Sequence, residues 1–130
     1  MSLLVDTDVL IWHLRGYAQA ANRLDRLPQL TLSAMSYLEL IQGMRNKDEL
    51  AAVQRMFALR HARILPLTAE ITQRATDLMN TLTLSHGLQA GDALIAATAL
   101  EHQLPLLTGN VKHFAPITAL HVEKFALSSE

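Results

Sequence analysis

Short apolar runs alternate with amphipathic stretches along this chain. Leu3-Leu4-Val5 is a run of large apolar side chains that stops at Asp6, the pattern of a strand buried on both faces. Thr7 or Asp8 can cap a helix over residues 9–14 that stops near Gly16, and a second short helix covers residues 18–27, ahead of Pro28. Residues 30–33 read as the next strand. From Ser36, Leu40, Ile41 and Met44 keep helical spacing until Asn46. Asp48 offers an N-cap for a helix that turns Leu50, Val53, Met56 and Phe57 inward. Arg63-Ile64-Leu65 before Pro66 gives a third strand, and Thr68-Ala69-Glu70 starts a long helix with Ile71, Ala75, Leu78, Met79 and Leu82 on one face. Gly91-Asp92 opens an alanine-rich helix to about His102. Residues 105–108 form a further strand and residues 117–122 the last. Strands separated by helices predict an α/β fold with a parallel sheet wrapped by helices, in a single domain over residues 1–130.

Composition narrows the function classes. Half of the 130 residues are hydrophobic and 18% are charged, which suits one domain with its own core and excludes a disordered tail. No cysteine is present, so disulfide scaffolds, thiol catalysis and cysteine-ligated metal sites are all excluded. The six histidines lack metal-ligand spacing. No signal segment is visible, and every apolar run is broken well short of the roughly 18–20 residues a membrane span needs. A cytoplasmic protein without membrane contact is the expectation. A net charge of -1 argues against holding nucleic acid by bulk positive charge, but the charge is unevenly spread. Residues 15–63 carry eight Lys/Arg against four acids; the remainder carries three against eight. Arg45, Lys47, Arg55, Arg60 and Arg63 can flank an acidic pocket and meet phosphate, or form an ordinary solvated face.

The acids fall where such a fold places its chemistry. Open parallel sheets carry sites at the carboxyl ends of their strands, and right-handed crossovers bring the following helix N-termini to that rim. Asp6 ends the first strand, Glu39 and Asp92 lie in first helical turns, and Thr108-Gly109-Asn110 follows a late strand. Three carboxylates and an amide from four distant segments can thus converge. Oxygen ligands without cysteine suit Mg2+ or Mn2+ better than zinc. Blander roles are also open: Ser36-x-x-Glu39 fits a capping box, Asp92 a helix-dipole acid, Asp8 an N-cap. Asp6 has no evident capping role.

Four stretches together resemble the PIN domain, and within it the VapC-type toxins of toxin–antitoxin pairs. They are Leu4-Val5-Asp6-Thr7-Asp8-Val9-Leu10-Ile11, Ser33-Ala34-Met35-Ser36-Tyr37-Leu38-Glu39-Leu40, Asp92-Ala93-Leu94-Ile95-Ala96-Ala97-Thr98-Ala99, and Leu107-Thr108-Gly109-Asn110-Val111-Lys112-His113-Phe114. The resemblance implies a three-layer α/β/α fold with a mostly parallel central sheet and divalent-metal-dependent endoribonuclease activity. It also implies a homodimer, a cognate VapB-like antitoxin embraced by the helices carrying Leu40, Met44, Val53, Met56 and Phe57, and an RNA substrate such as tRNA. By position, Asp6, Glu39 and Asp92 are its acidic catalytic and metal site. Asn110 stands where many relatives have a fourth acid, so one negative charge is missing and a second metal position is affected. A bound cation would offset the charge that grows on a transferring phosphate and supply a water activated at neutral pH. Thr108 can position that water or a phosphate, or simply bond its turn. Lys112 and His113 are within reach of phosphate contacts or remain solvated.

Two rivals stand beside this reading. Asp6-Thr7-Asp8 also resembles the opening of haloacid-dehalogenase-like phosphatases, which need a late lysine, for which only Lys112 and Lys124 are available, and a downstream acidic pair that is missing. The second is a catalytically inactive PIN-like binding module, favoured only by Asn110.

Overall fold

The computed structural model describes residues 2–127; Met1 and residues 128–130 of the expected domain lie outside it. Its first strand, β1 (Leu4–Val5), is fully buried and pairs in parallel with β4 (Leu106–Thr108), Leu4 opposite Leu106 and Val5 opposite Leu107. β4 pairs in parallel with β5 (Val122–Lys124), placing Thr108 opposite Lys124. A second parallel ladder joins β2 (Thr31–Ser33) to β3 (Arg63–Leu65), and β2 runs beside β1.

Alternation along these strands builds the layers, because successive side chains leave opposite faces. Leu4 and Leu106 join a core with α5 (Ala69–His86), α6 (Ala90–Glu101) and α7 (Val111–Phe114), through Ile71, Ala75, Ala96 and Phe114. Val5 and Leu107 join the opposite core, with α1 (Thr7–Leu14), α2 (Ala18–Asp25), α3 (Ala34–Gln42) and α4 (Lys47–Leu59), through Val9, Leu10, Leu24, Leu40 and Met56. The result is the expected three-layer α/β/α arrangement. Small side chains let α6 lie close to the sheet: Ala93, Ala96, Ala97 and Ala99 are completely buried.

Several boundaries differ from the sequence expectation. α1 is capped by Asp6, whose Oδ1 accepts from the Thr7 amide at 2.8 Å, and not by Thr7 or Asp8. α3 starts at Ala34 because Ser33 takes the cap, its Oγ accepting from the Met35 amide at 3.0 Å. Glu39 is therefore in the second turn, no capping box forms with Ser36, and the Ser36 hydroxyl is buried without a partner. Asn46, not Asp48, caps α4 by accepting from the Glu49 amide. The last strand is Val122–Lys124 where residues 117–122 were expected, and α7 was not foreseen.

Candidate active site

β1 ends at Val5 and α1 starts at Thr7, so Asp6 alone joins them: its amide donates to the Leu107 carbonyl at 2.9 Å while its side chain caps the helix. Its side chain is 4% exposed. Oδ2 accepts from the Thr108 hydroxyl at 2.7 Å, and Thr108 Oγ1 accepts in turn from the Asn110 amide at 2.9 Å. Thr108 is fully buried, so its hydroxyl serves Asp6 and the turn and does not reach solvent. Two residues on, in the first turn of α1, Asp8 Oδ2 accepts from the Gly109 amide at 2.9 Å, while Oδ1 is buried with no partner.

Glu39 reaches the same place from α3, its Oε1 accepting from the Thr7 hydroxyl at 2.6 Å. Asp92 enters from the first turn of α6, with Oδ2 3.3 Å from His113 Nδ1. Asn110 and His113 are presented by α7, which Phe114 anchors in the core. Asp6, Asp8, Glu39, Asp92, Asn110 and His113 all line one cavity of about 600 Å³ at the carboxyl rim of the sheet. Two glycines give the acids their room. A Cβ on Gly91 would stand 2.8 Å from Glu39 Oε2, and one on Gly109 2.8 Å from Asp8 Oδ2.

Crowding the acids shapes their ionisation. Burial, with the neighbouring charges of Asp8 and Asp92, pushes the Asp6 carboxyl up to about 7, against the hydrogen bonds from Thr108 and Thr7. Burial also raises Asp8, opposed by the Gly109 and Val9 amides, and raises Asp92, opposed by His113. No Lys or Arg lines this cavity. Among the described residues, no three His, Asp or Glu side chains stand close enough to enclose an ion as they are. Glu39 is turned to the Thr7 hydroxyl and Asp92 to His113. The donor set nevertheless fits a hard divalent cation: acidic oxygens, an unpartnered buried oxygen on Asp8, and like charges held together.

The structure thus brings together Asp6, Glu39, Asp92 and Asn110. Sequence reasoning missed two participants, Thr7 and the acid Asp8, although the Asp6-Thr7-Asp8 triplet was in plain view. Of the five basic residues considered as a flank, Arg45 is tied to Glu49 at 2.7 Å and Arg60 to Asp25 at 2.7 Å. Lys112 and Lys124 do not line the acidic cavity, which leaves the dehalogenase-like reading without its lysine.

Comparison with known proteins agrees with this geometry. The PIN domain family matches residues 3–117. The ribonuclease VapC10 of Mycobacterium tuberculosis is 44% identical over 116 residues, covering 86% of this chain and 85% of the relative. Among solved structures, VapBC-1 from nontypeable Haemophilus influenzae superposes with a TM-score of 0.79 at 27% identity, over 95% of this chain and 98% of that one. A toxin–antitoxin complex from Klebsiella pneumoniae gives 0.75 at 29% identity, over 95% and 100%. The chain belongs to the PIN domain family, in the branch its VapC relative occupies.

Proposed function

We propose that this chain is a divalent-metal-dependent endoribonuclease, the toxin of a toxin–antitoxin pair, acting in the cytoplasm on RNA phosphodiester bonds. The observation that carries the reading is the single acidic cavity that gathers Asp6, Asp8, Glu39 and Asp92 with no cationic side chain of Lys or Arg to balance them. An Mg2+ or Mn2+ ion held there would supply positive charge against the phosphate and a water activated near neutral pH.

The chain's own groups set the stage for that ion. Asp6, fixed from both sides by Thr7 and Thr108, is the rigid member. Glu39 and Asp92 come from the flanking helices, where they contact Thr7 and His113, and would help hold the ion. Asp8 adds charge from beside Asp6, and Asn110 offers an amide oxygen in place of a fourth acid. His113, on the wall of the same cavity beside Asp92, would be placed to meet a phosphate. The fold and the similarity to a named ribonuclease favour this chemistry over an inactive binding module.

The partner in this reading is a VapB-like antitoxin, in keeping with the toxin–antitoxin complexes among the similar structures; a homodimer is the active unit we propose. A tRNA is the expected RNA class. Mapping RNA 5′ ends after brief expression without antitoxin tests the assignment. New ends should accumulate at a few sites with the parent chain and be absent with Asp6→Asn; identical end profiles would reject it.

A further inference from the structure

A second cavity, of about 590 Å³, opens between α2 and the end of β5. Asn22, Arg23, Asp25, Arg26, Lys124 and Phe125 are among the residues that line it. Two of its charged groups are already engaged: the acid Asp25 pairs with Arg60, and Arg23 pairs with Glu123 outside the cavity. Arg26 and Lys124 are exposed and, among the described residues, stand in no ion pair. Asn22 and Arg26, four residues apart on and just beyond α2, share a helix face. Unbalanced cations beside side-chain amides are the groups that meet nucleic-acid backbone.

Its position ties this cavity to the acidic one. Lys124 stands in register with Thr108, whose hydroxyl holds Asp6. The Phe125 amide donates to the Thr108 carbonyl at 2.8 Å. The Phe125 carbonyl oxygen lies 3.3 Å, and Asp8 Oδ2 2.8 Å, from the point a Cβ on Gly109 would occupy. Gly109 is thus an exposed saddle between the two cavities, without a side chain to obstruct a strand crossing it.

We infer that the α2–β5 cavity binds the phosphodiester backbone of the RNA strand whose scissile bond lies in the acidic cavity. This rests on the ribonuclease reading above. It also places RNA-facing positive charge on the α2 side of the rim, on Arg26 and Lys124; of the basic residues in 45–63, Arg45 and Arg60 are tied to acids, and Lys47 and Arg55 provide the comparison pair.

Fluorescence anisotropy with a labelled single-stranded RNA in EDTA, where metal-dependent cleavage is silent, tests it. Arg26→Ala/Lys124→Ala should bind about tenfold more weakly and lower the slope of log K against log salt by about 1.4, two phosphate contacts on a single strand. Lys47→Ala/Arg55→Ala, an equal change of charge on α4, should leave both nearly unchanged. In single-turnover cleavage the first pair should raise the RNA concentration needed for half-maximal rate and spare the maximal rate. Among the described residues neither substituted side chain makes a hydrogen bond or ion pair, so the melting temperature should match the parent's. Equal losses from the two pairs, or no loss from the first, would overturn the inference while leaving the nuclease reading intact. Unchanged RNA affinity with weakened binding of an antitoxin would assign the cavity to a protein and overturn it as well. A parent that neither binds nor cleaves RNA would remove both.

Discussion

Replacing Asp6 by Asn should stabilise the metal-free protein at alkaline pH. In the folded chain this carboxyl is raised from 3.8 to about 7 by burial and by Asp8 and Asp92. A carboxyl with a raised folded-state pKa contributes fully below its unfolded value and loses that contribution as pH rises through about 7. At roughly 1.4 kcal/mol per pH unit, the loss between about pH 4 and pH 8 approaches ~4 kcal/mol, a ceiling because Asp8 shares it. Asn cannot ionise, and it remains a good N-cap for the Thr7 amide. Urea unfolding in EDTA should therefore give near-equal stabilities at about pH 4 and an advantage for Asp6→Asn of roughly 2–4 kcal/mol at about pH 8. For a chain of this length that is on the order of 7–15 °C in Tm. Millimolar Mg2+ or Mn2+ should then raise the parent's Tm and leave the variant's nearly unmoved, since only a native-state ligand stabilises by mass action. Equal stability at both pH values, or a variant less stable throughout, would refute the crowded-carboxylate account. No cleavage assay enters that test.

Three further outcomes follow from the same geometry. Gly91→Ala should displace the Glu39 carboxylate and lower RNA cleavage at least tenfold, with a melting temperature within a few degrees of the parent's, as seen by a rate assay beside thermal denaturation. Asn110→Asp, which adds a fourth acid to the cavity wall, should keep or raise activity and shift the Mg2+ or Mn2+ concentration it requires; a complete loss of cleavage would contradict its place there. Thr108→Val leaves Asp6 Oδ2 and the Asn110 amide without their partner, so it should cost about 1–3 kcal/mol in urea unfolding, and an unchanged midpoint would refute that role.

The layers of the fold were legible because Leu4, Val5, Leu106 and Leu107 are apolar without interruption, and the alanine pattern of α6 marks a helix pressed on a sheet. Helix starts were less so. With strands of two or three residues running straight into helices, Asp6 and Ser33 serve as strand end and cap together, while Ser36, the apparent cap, is buried. Glu39 reaches the rim from one turn deeper in its helix than the sequence suggests, while the rim acids Asp6 and Asp92 could be read from a strand end and a helix start. Asp8 could not, since its partner is the amide of Gly109, 101 residues away, and locally it looks like a first-turn acid. The two glycines that admit carboxylates were silent for the same reason: their contacts are made across the fold. α7, with four residues, is too short to show a period.

The most direct test of the central claim is cleavage of RNA by the purified chain, freed of any partner, with and without divalent metal. Defined fragments are expected with Mg2+ or Mn2+, none in EDTA, and none from folded Asp6→Asn under any condition. Fragments of equal yield from Asp6→Asn, or no cleavage of any RNA by the parent with either metal, would contradict it.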